Sequence, residues 1–152
     1  MPDIFNDDFR DFISALNNND VRYIVVGGFA VIFHGHARVT GDLDIWVEPV
    51  EENYEQLVKA FHEFHMPLFD MTKENFLFSD KFDVFVFGKK PVAIDIMTRV
   101  KGLSFKPCYE RSKIFESEKL PIRILDLNDL LEAKREAGRR KDIDDIEQLT
   151  KQ

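Results

Sequence analysis

Three aspartates have the types and spacing that handle cations. Asp42 and Asp44 stand two apart in Asp42-Leu43-Asp44-Ile45-Trp46-Val47, and Asp95 stands in Ala93-Ile94-Asp95-Ile96. Residues two apart on a strand share a face. The spacing therefore predicts that Asp42 and Asp44 project together while Leu43 and Ile45 turn to the core. Ile94 and Ile96 put Asp95 in the same relation to its own strand. If the two strands are neighbours, three carboxylates converge, and such a cluster repels itself unless cations occupy it. Oxygen-only ligands suit Mg²⁺, with Mn²⁺ as a substitute. Upstream, Gly27-Gly28 follows the apolar run Tyr23-Ile24-Val25-Val26. Without side chains these glycines let a phosphate approach the backbone, and a helix starting there offers free N–H groups. A triphosphate beside metal-loaded aspartates is the arrangement for nucleotidyl transfer.

Each feature also has a plainer reading. Gly-Gly after a strand serves turns. Asp-x-Asp alone can be the solvent face of an edge strand. Arg38 pairs with an acidic side chain as readily as with phosphate, and Thr40 could cap a turn. His34 and His36 do not share a helix face, so surface or capping roles suit them. The run Lys134-Arg135-Glu136-Ala137-Gly138-Arg139-Arg140-Lys141 reads as a solvated helix end whose cations can pair with Asp142, Asp144 and Asp145. Its functional reading is a clamp on triphosphate or an RNA backbone, with Lys141 as the phosphate contact. Cys108 reads as inert.

The elements that must position these residues follow from periodicity. Phe5, Phe9, Phe12, Ile13 and Leu16 follow helical spacing around an Asn6 cap, with Asp7 and Asp8 in the first turn. Residues 23–26 and 42–47 read as strands, with a helix over 29–36 between them. Tyr54, Leu57, Val58, Phe61 and Phe64 mark a further helix. Residues 82–87 and 92–97 read as a hairpin around Gly88-Lys89-Lys90-Pro91. Residues 122–125 form a last strand, followed by a helix through Leu127, Leu130, Leu131 and Ala137 that Gly138 stops, and another through Ile143, Ile146 and Leu149. Alternation early and a hairpin later predict an α/β (α+β) class. The expected architecture is a mixed twisted sheet flanked by helices, with a C-terminal helical pair. No linker or repeat divides the chain, so residues 1–152 read as one domain with a helical tail from about 126.

On these residues the sequence resembles the nucleotidyltransferase superfamily, whose core is similar to that of DNA polymerase β. Gly27-Gly28 and Asp42-x-Asp44 look like its signature, and Asp95 matches its third carboxylate. Many catalytic members carry Gly-Ser where Gly28 stands here. The tail, Leu130-Leu131-Glu132-Ala133-Lys134 followed by Arg139-Arg140-Lys141-Asp142, is similar to the small bacterial branch related to abortive-infection toxins and minimal nucleotidyltransferases. The resemblance implies transfer of a nucleoside monophosphate from an NTP to a hydroxyl acceptor on RNA or protein, and an antitoxin-like partner. Asp42, Asp44 and Asp95 would hold the metal, and Gly27, Gly28, Arg38, Thr40 and Lys141 would meet the nucleotide. The alternative is a catalytically silent member that binds nucleotide or a partner protein.

Composition fits these expectations. The 152 residues carry a net charge of -7, with 44% hydrophobic and 32% charged. That balance argues against coating nucleic acid by bulk electrostatics. One cysteine excludes an internal disulfide. The acidic start Asp3-Ile4-Phe5-Asn6-Asp7-Asp8 lacks the pattern of a signal peptide, and a cytoplasmic protein with no membrane association is expected.

Overall fold

The computed structural model describes residues 6–37, 40–78, 82–88 and 93–151. Six strands form one sheet: β1 (Tyr23–Val26), β2 (Leu43–Val47), β3 (Val84–Phe87), β4 (Ile94–Met97), β5 (Lys113–Ser117) and β6 (Leu120–Ile124), in the order β3-β4-β2-β1-β6-β5. The pairs β1/β2, β3/β4 and β5/β6 are antiparallel, whereas β2/β4 and β1/β6 are parallel. The chain is thus an α/β protein with a mixed sheet, as its alternation of elements predicts.

The register of the central strands decides where the side chains go. Leu43 pairs Ile94, Asp44 pairs Asp95, Ile45 pairs Ile96 and Trp46 pairs Met97. Leu43, Ile45, Ile94 and Ile96 fall on one face and are buried. Helices α1 (Asp7–Asn18) and α3 (Glu51–Glu63) cover that face. Phe12 of α1 meets Phe61 of α3 edge-on at 5.6 Å, and Phe61 meets Phe87 of β3 at 4.8 Å. Such aromatic pairs add roughly 0.5–1.5 kcal/mol each beyond the area they bury. The helix α1 starts as its sequence predicts: the Asn6 side chain accepts from the Phe9 N–H at 2.8 Å.

The opposite face carries Asp44, Trp46, Asp95 and Met97. Helix α5 (Phe105–Arg111) lies over it, with Phe105 edge-on to Trp46 at 5.2 Å. Helix α6 (Leu127–Ala137) follows, capped by Asp126 at its start and ended by Gly138 in the left-handed region at φ 64°. Arg111 holds Asp129 of α6 through two 2.9 Å bonds, which fixes α5 to α6. Helix α7 (Arg140–Thr150) packs back on α6.

Four elements differ from the sequence expectation. Helix α2 runs Gly27–Phe33 rather than 29–36: it starts at the first glycine and stops where His34 takes the C-cap. The His34 ring then bonds the Leu125 carbonyl at 2.6 Å, so this histidine serves the fold. A short helix α4 (Lys73–Leu77), together with α5 and strand β5, completes the chain without a strong sequence signal. Strand β5, Lys113-Ile114-Phe115-Glu116-Ser117, lies at a sheet edge and lacks period-two alternation, and α5 contains Pro107, which blurs its helical pattern. The hairpin of β3 and β4 is present, and residues 89–92 of its turn lie outside the described residues. Among the described residues no helix is long and apolar enough to cross a membrane.

Candidate active site

The three aspartates lie together at one end of the paired strands β2 and β4. Asp44 and Asp95 are register partners, and neighbouring side chains in register share a face. Asp42 stands just before β2, where its Oδ1 accepts the Ala93 N–H at 3.1 Å, tying it to the start of β4. Burial pushes the Asp44 carboxyl up to about 7, reinforced by the charge of Asp95, by a hydrogen bond between the two, and by Asp42. Lys134 pulls weakly the other way. Two like charges this close resist ionising together unless a cation joins them.

Gly27 explains why Asp44 can occupy this position. Its φ is +68°, and a side chain there would place Cβ 2.1 Å from the Asp44 Oδ2. The first glycine of the pair is thus a hollow that receives a carboxylate, a role that spacing alone does not suggest. Replacing Gly27 by Ala should destabilise the protein by more than about 2 kcal/mol, because a left-handed alanine costs roughly 1–2 kcal/mol and the overlap adds to it. Adding Asp44→Ala should recover part of the loss, since neighbours that clash are non-additive. Urea unfolding of the single and double variants measures this; a fully stable Gly27→Ala would contradict it.

Across from Asp44, α6 and α7 bury charge. Lys134 is 6% exposed, and its Nζ lies 3.2 Å from Asp142 Oδ1 and 3.1 Å from Asp145 Oδ2. Asp142 and Asp145 are 0% and 1% exposed. Arg139 reaches Asp142 Oδ2 through Nε at 2.6 Å, and its backbone N–H bonds the same oxygen at 3.1 Å. Burial alone raises the Asp142 carboxyl, but the bonds from Arg139 and Lys134 outweigh it and hold the group below its ordinary value. His36 Nε2 lies 3.7 Å from Asp145 Oδ1, and ligand atoms of His36, Asp144 and Asp145 fall within 4.8 Å of one another. The Lys134 ammonium already neutralises Asp145, which disfavours a second cation there.

Between the sheet face and these helices lies a cavity of about 200 Å³, bounded by Gly27 and Asp44 on one side and by Lys134, Arg139 and Asp142 on the other.

A family described as "nucleotidyltransferase of unknown function" (DUF6036) matches residues 8–150. The chain belongs to this family. Among solved structures, it is similar to a Thermotoga maritima protein provisionally named a nucleotidyltransferase. The two are 16% identical with a TM-score of 0.54, and the match covers 94% of this chain and 90% of that one. At that identity the likeness is one of fold. No curated protein matches the chain.

In this nucleotidyltransferase-family chain, the residues singled out by sequence divide into three groups. Asp42, Asp44, Asp95 and Gly27 come together. Thr40 is half-buried two residues before Asp42, and Gly28 is buried inside α2. Lys141 is exposed in the first turn of α7 and does not line the cavity, whereas Lys134 and Arg139 do. Arg38 lies outside the described residues. The signal for the buried ionic group was present but easy to miss. Lys134 follows Leu130 by four and Leu131 by three, and Asp142 and Asp145 precede Leu149 by seven and four. Charges at apolar-face positions mark pairs that are buried together.

Proposed function

We propose that the chain is a metal-dependent nucleotidyltransferase that moves a nucleoside monophosphate from an NTP to a hydroxyl acceptor on RNA or protein. The observation that carries this is the Asp44–Asp95 register pair, flanked by Asp42, in which burial first and the neighbouring Asp95 second push the Asp44 carboxyl up. The donor chemistry fits the cation: three carboxylates and no nitrogen or sulfur ligand among them suit Mg²⁺, or Mn²⁺ in its place. Asp42, Asp44 and Asp95 would hold it. When bound, the metal supplies charge neutralisation for the departing pyrophosphate and eases ionisation of the acceptor hydroxyl.

The chain's own residues do the rest. Gly27 leaves space in which Asp44 keeps its place beside Asp95. Asp95 accepts the proton of the acceptor hydroxyl as its oxygen attacks the α-phosphorus. A new P–O bond forms, the bond to the bridging oxygen breaks, and pyrophosphate leaves. Gly28, Thr40, Arg38 and Lys141 act on the phosphate side. Lys134 and Arg139, both bonded to Asp142, border the cavity opposite Asp44.

Lys141→Ala tests the phosphate side. Its side chain is exposed, so its loss should leave the melting temperature almost unchanged. Affinity for Mg²⁺–NTP should fall at least tenfold, which requires only about 1.4 kcal/mol of lost interaction. A variant that melts several degrees lower with unchanged nucleotide affinity would give Lys141 a structural role instead.

A further inference from the structure

The cavity beside Asp44 is smaller than the roughly 300–1,000 Å³ that encloses a whole drug-sized ligand. At about 200 Å³ it takes one part of a nucleotide. Two of its walls are aliphatic. Met97 ends β4 and Val100 follows it, while Leu130, Ala133 and Ala137 come from α6. Of its cations, the buried Lys134 and the neighbouring Arg139 are bonded to Asp142, whereas Lys101 is exposed and stands on the solvent side. Phosphate oxygens buried against the aliphatic walls would lose water without gaining partners, at a cost of several kcal/mol. A flat heterocycle loses far less there.

Resting on the nucleotidyl-transfer reading, we propose that this cavity receives the nucleobase of the NTP and selects it by ring size rather than by its hydrogen-bonding edge. Ala133 and Ala137, four residues apart on α6, open the space. Among the described residues no aromatic side chain lines it, so the base is held between aliphatic walls and not by stacking. Sites built to hydrogen-bond a substrate group reject its analogue by roughly 10⁴–10⁵, whereas an apolar pocket discriminates by only about 10². ATP and GTP should therefore bind within about tenfold of each other, and so should CTP and UTP.

Titration calorimetry on the full chain with Mg²⁺ tests this, using the four NTPs and inorganic tripolyphosphate as probes. In Ala133→Leu the cavity is filled from α6, and in Val100→Phe from the facing wall. Both should weaken NTP binding at least tenfold, purines more than pyrimidines, and leave tripolyphosphate binding unchanged. Melting curves without ligand identify a variant that does not fold, in which case the other decides. Equal weakening of NTP and tripolyphosphate would put the phosphates in the cavity and overturn the proposal. Unchanged NTP binding in a folded variant would place the base elsewhere, and a wild-type preference of more than 100-fold between ATP and GTP would show edge recognition. If the wild type binds no NTP with Mg²⁺, the nucleotidyl-transfer reading fails and this one with it. If NTP binds and only the filled variants are silent, that reading stands alone.

Discussion

Asp44→Asn should abolish the thermal stabilisation by Mg²⁺ with NTP while leaving the metal-free protein as stable as the wild type, or more so. A ligand stabilises only the state that binds it, and this substitution removes one carboxylate from the cluster. The pH dependence gives the sign. Asp44 has its folded value near 7 against an ordinary 3.8, chiefly through burial and secondarily through Asp95. A raised carboxyl favours the folded state while it is protonated. That contribution is full below about pH 3.8 and is lost as pH rises through about 7. The metal-free wild type should therefore weaken between pH 5 and pH 8 by more than Asp44→Asn does. A tenfold difference in proton affinity between the folded and unfolded states is worth about 1.4 kcal/mol, so a difference above about 1 kcal/mol at pH 8 is expected. Urea midpoints at both pH values measure it. An Asp44→Asn protein that keeps its metal-dependent stabilisation would mean that the metal is held elsewhere.

The second large effect belongs to Lys134. Removing it leaves Asp145 buried without its ammonium partner and Asp142 held by Arg139 alone. Breaking a buried ion pair from one side costs about 3–5 kcal/mol, because an uncompensated charge remains. Lys134→Met keeps most of the apolar stem and should still lower stability by that amount, on the order of 10 °C in melting temperature for a domain of this size. Adding Asp142→Asn and Asp145→Asn should return much of the loss. Lys134 also opposes the upward push on Asp44, so the pH at which Mg²⁺ binds should move higher in Lys134→Met. A loss below about 1 kcal/mol would mean that the buried carboxylates do not depend on this lysine.

Much of the sheet and of the carboxylate cluster was legible in the sequence, for a simple reason. Alternation in Asp42-Leu43-Asp44-Ile45 and Ile94-Asp95-Ile96 assigns faces directly, and the parallel register of β2 with β4 then puts Asp44 beside Asp95. What the sequence hid depends on contacts between distant segments. Gly27 reads as room for phosphate, but its hollow is filled by the Asp44 carboxylate. The basic run 134–141 reads as a solvated helix end, yet Lys134 points into the molecule while Lys141 is exposed. Net charge and composition describe both lysines alike. Only the packing of α7 on α6 separates them. Arg139, read as a partner of the neighbouring aspartates, does bond Asp142 and also borders the cavity.

The most direct test follows the phosphorus atom. The full chain is incubated with Mg²⁺ and each NTP labelled at the α- or γ-phosphate, together with cellular RNA and protein as acceptors. Transfer of the α-label to a macromolecule, with the γ-label released as pyrophosphate and both lost in Asp95→Asn, is the expected result. Transfer of the γ-label, or no transfer from any of the four NTPs, would contradict nucleotidyl transfer at the Asp42, Asp44 and Asp95 site.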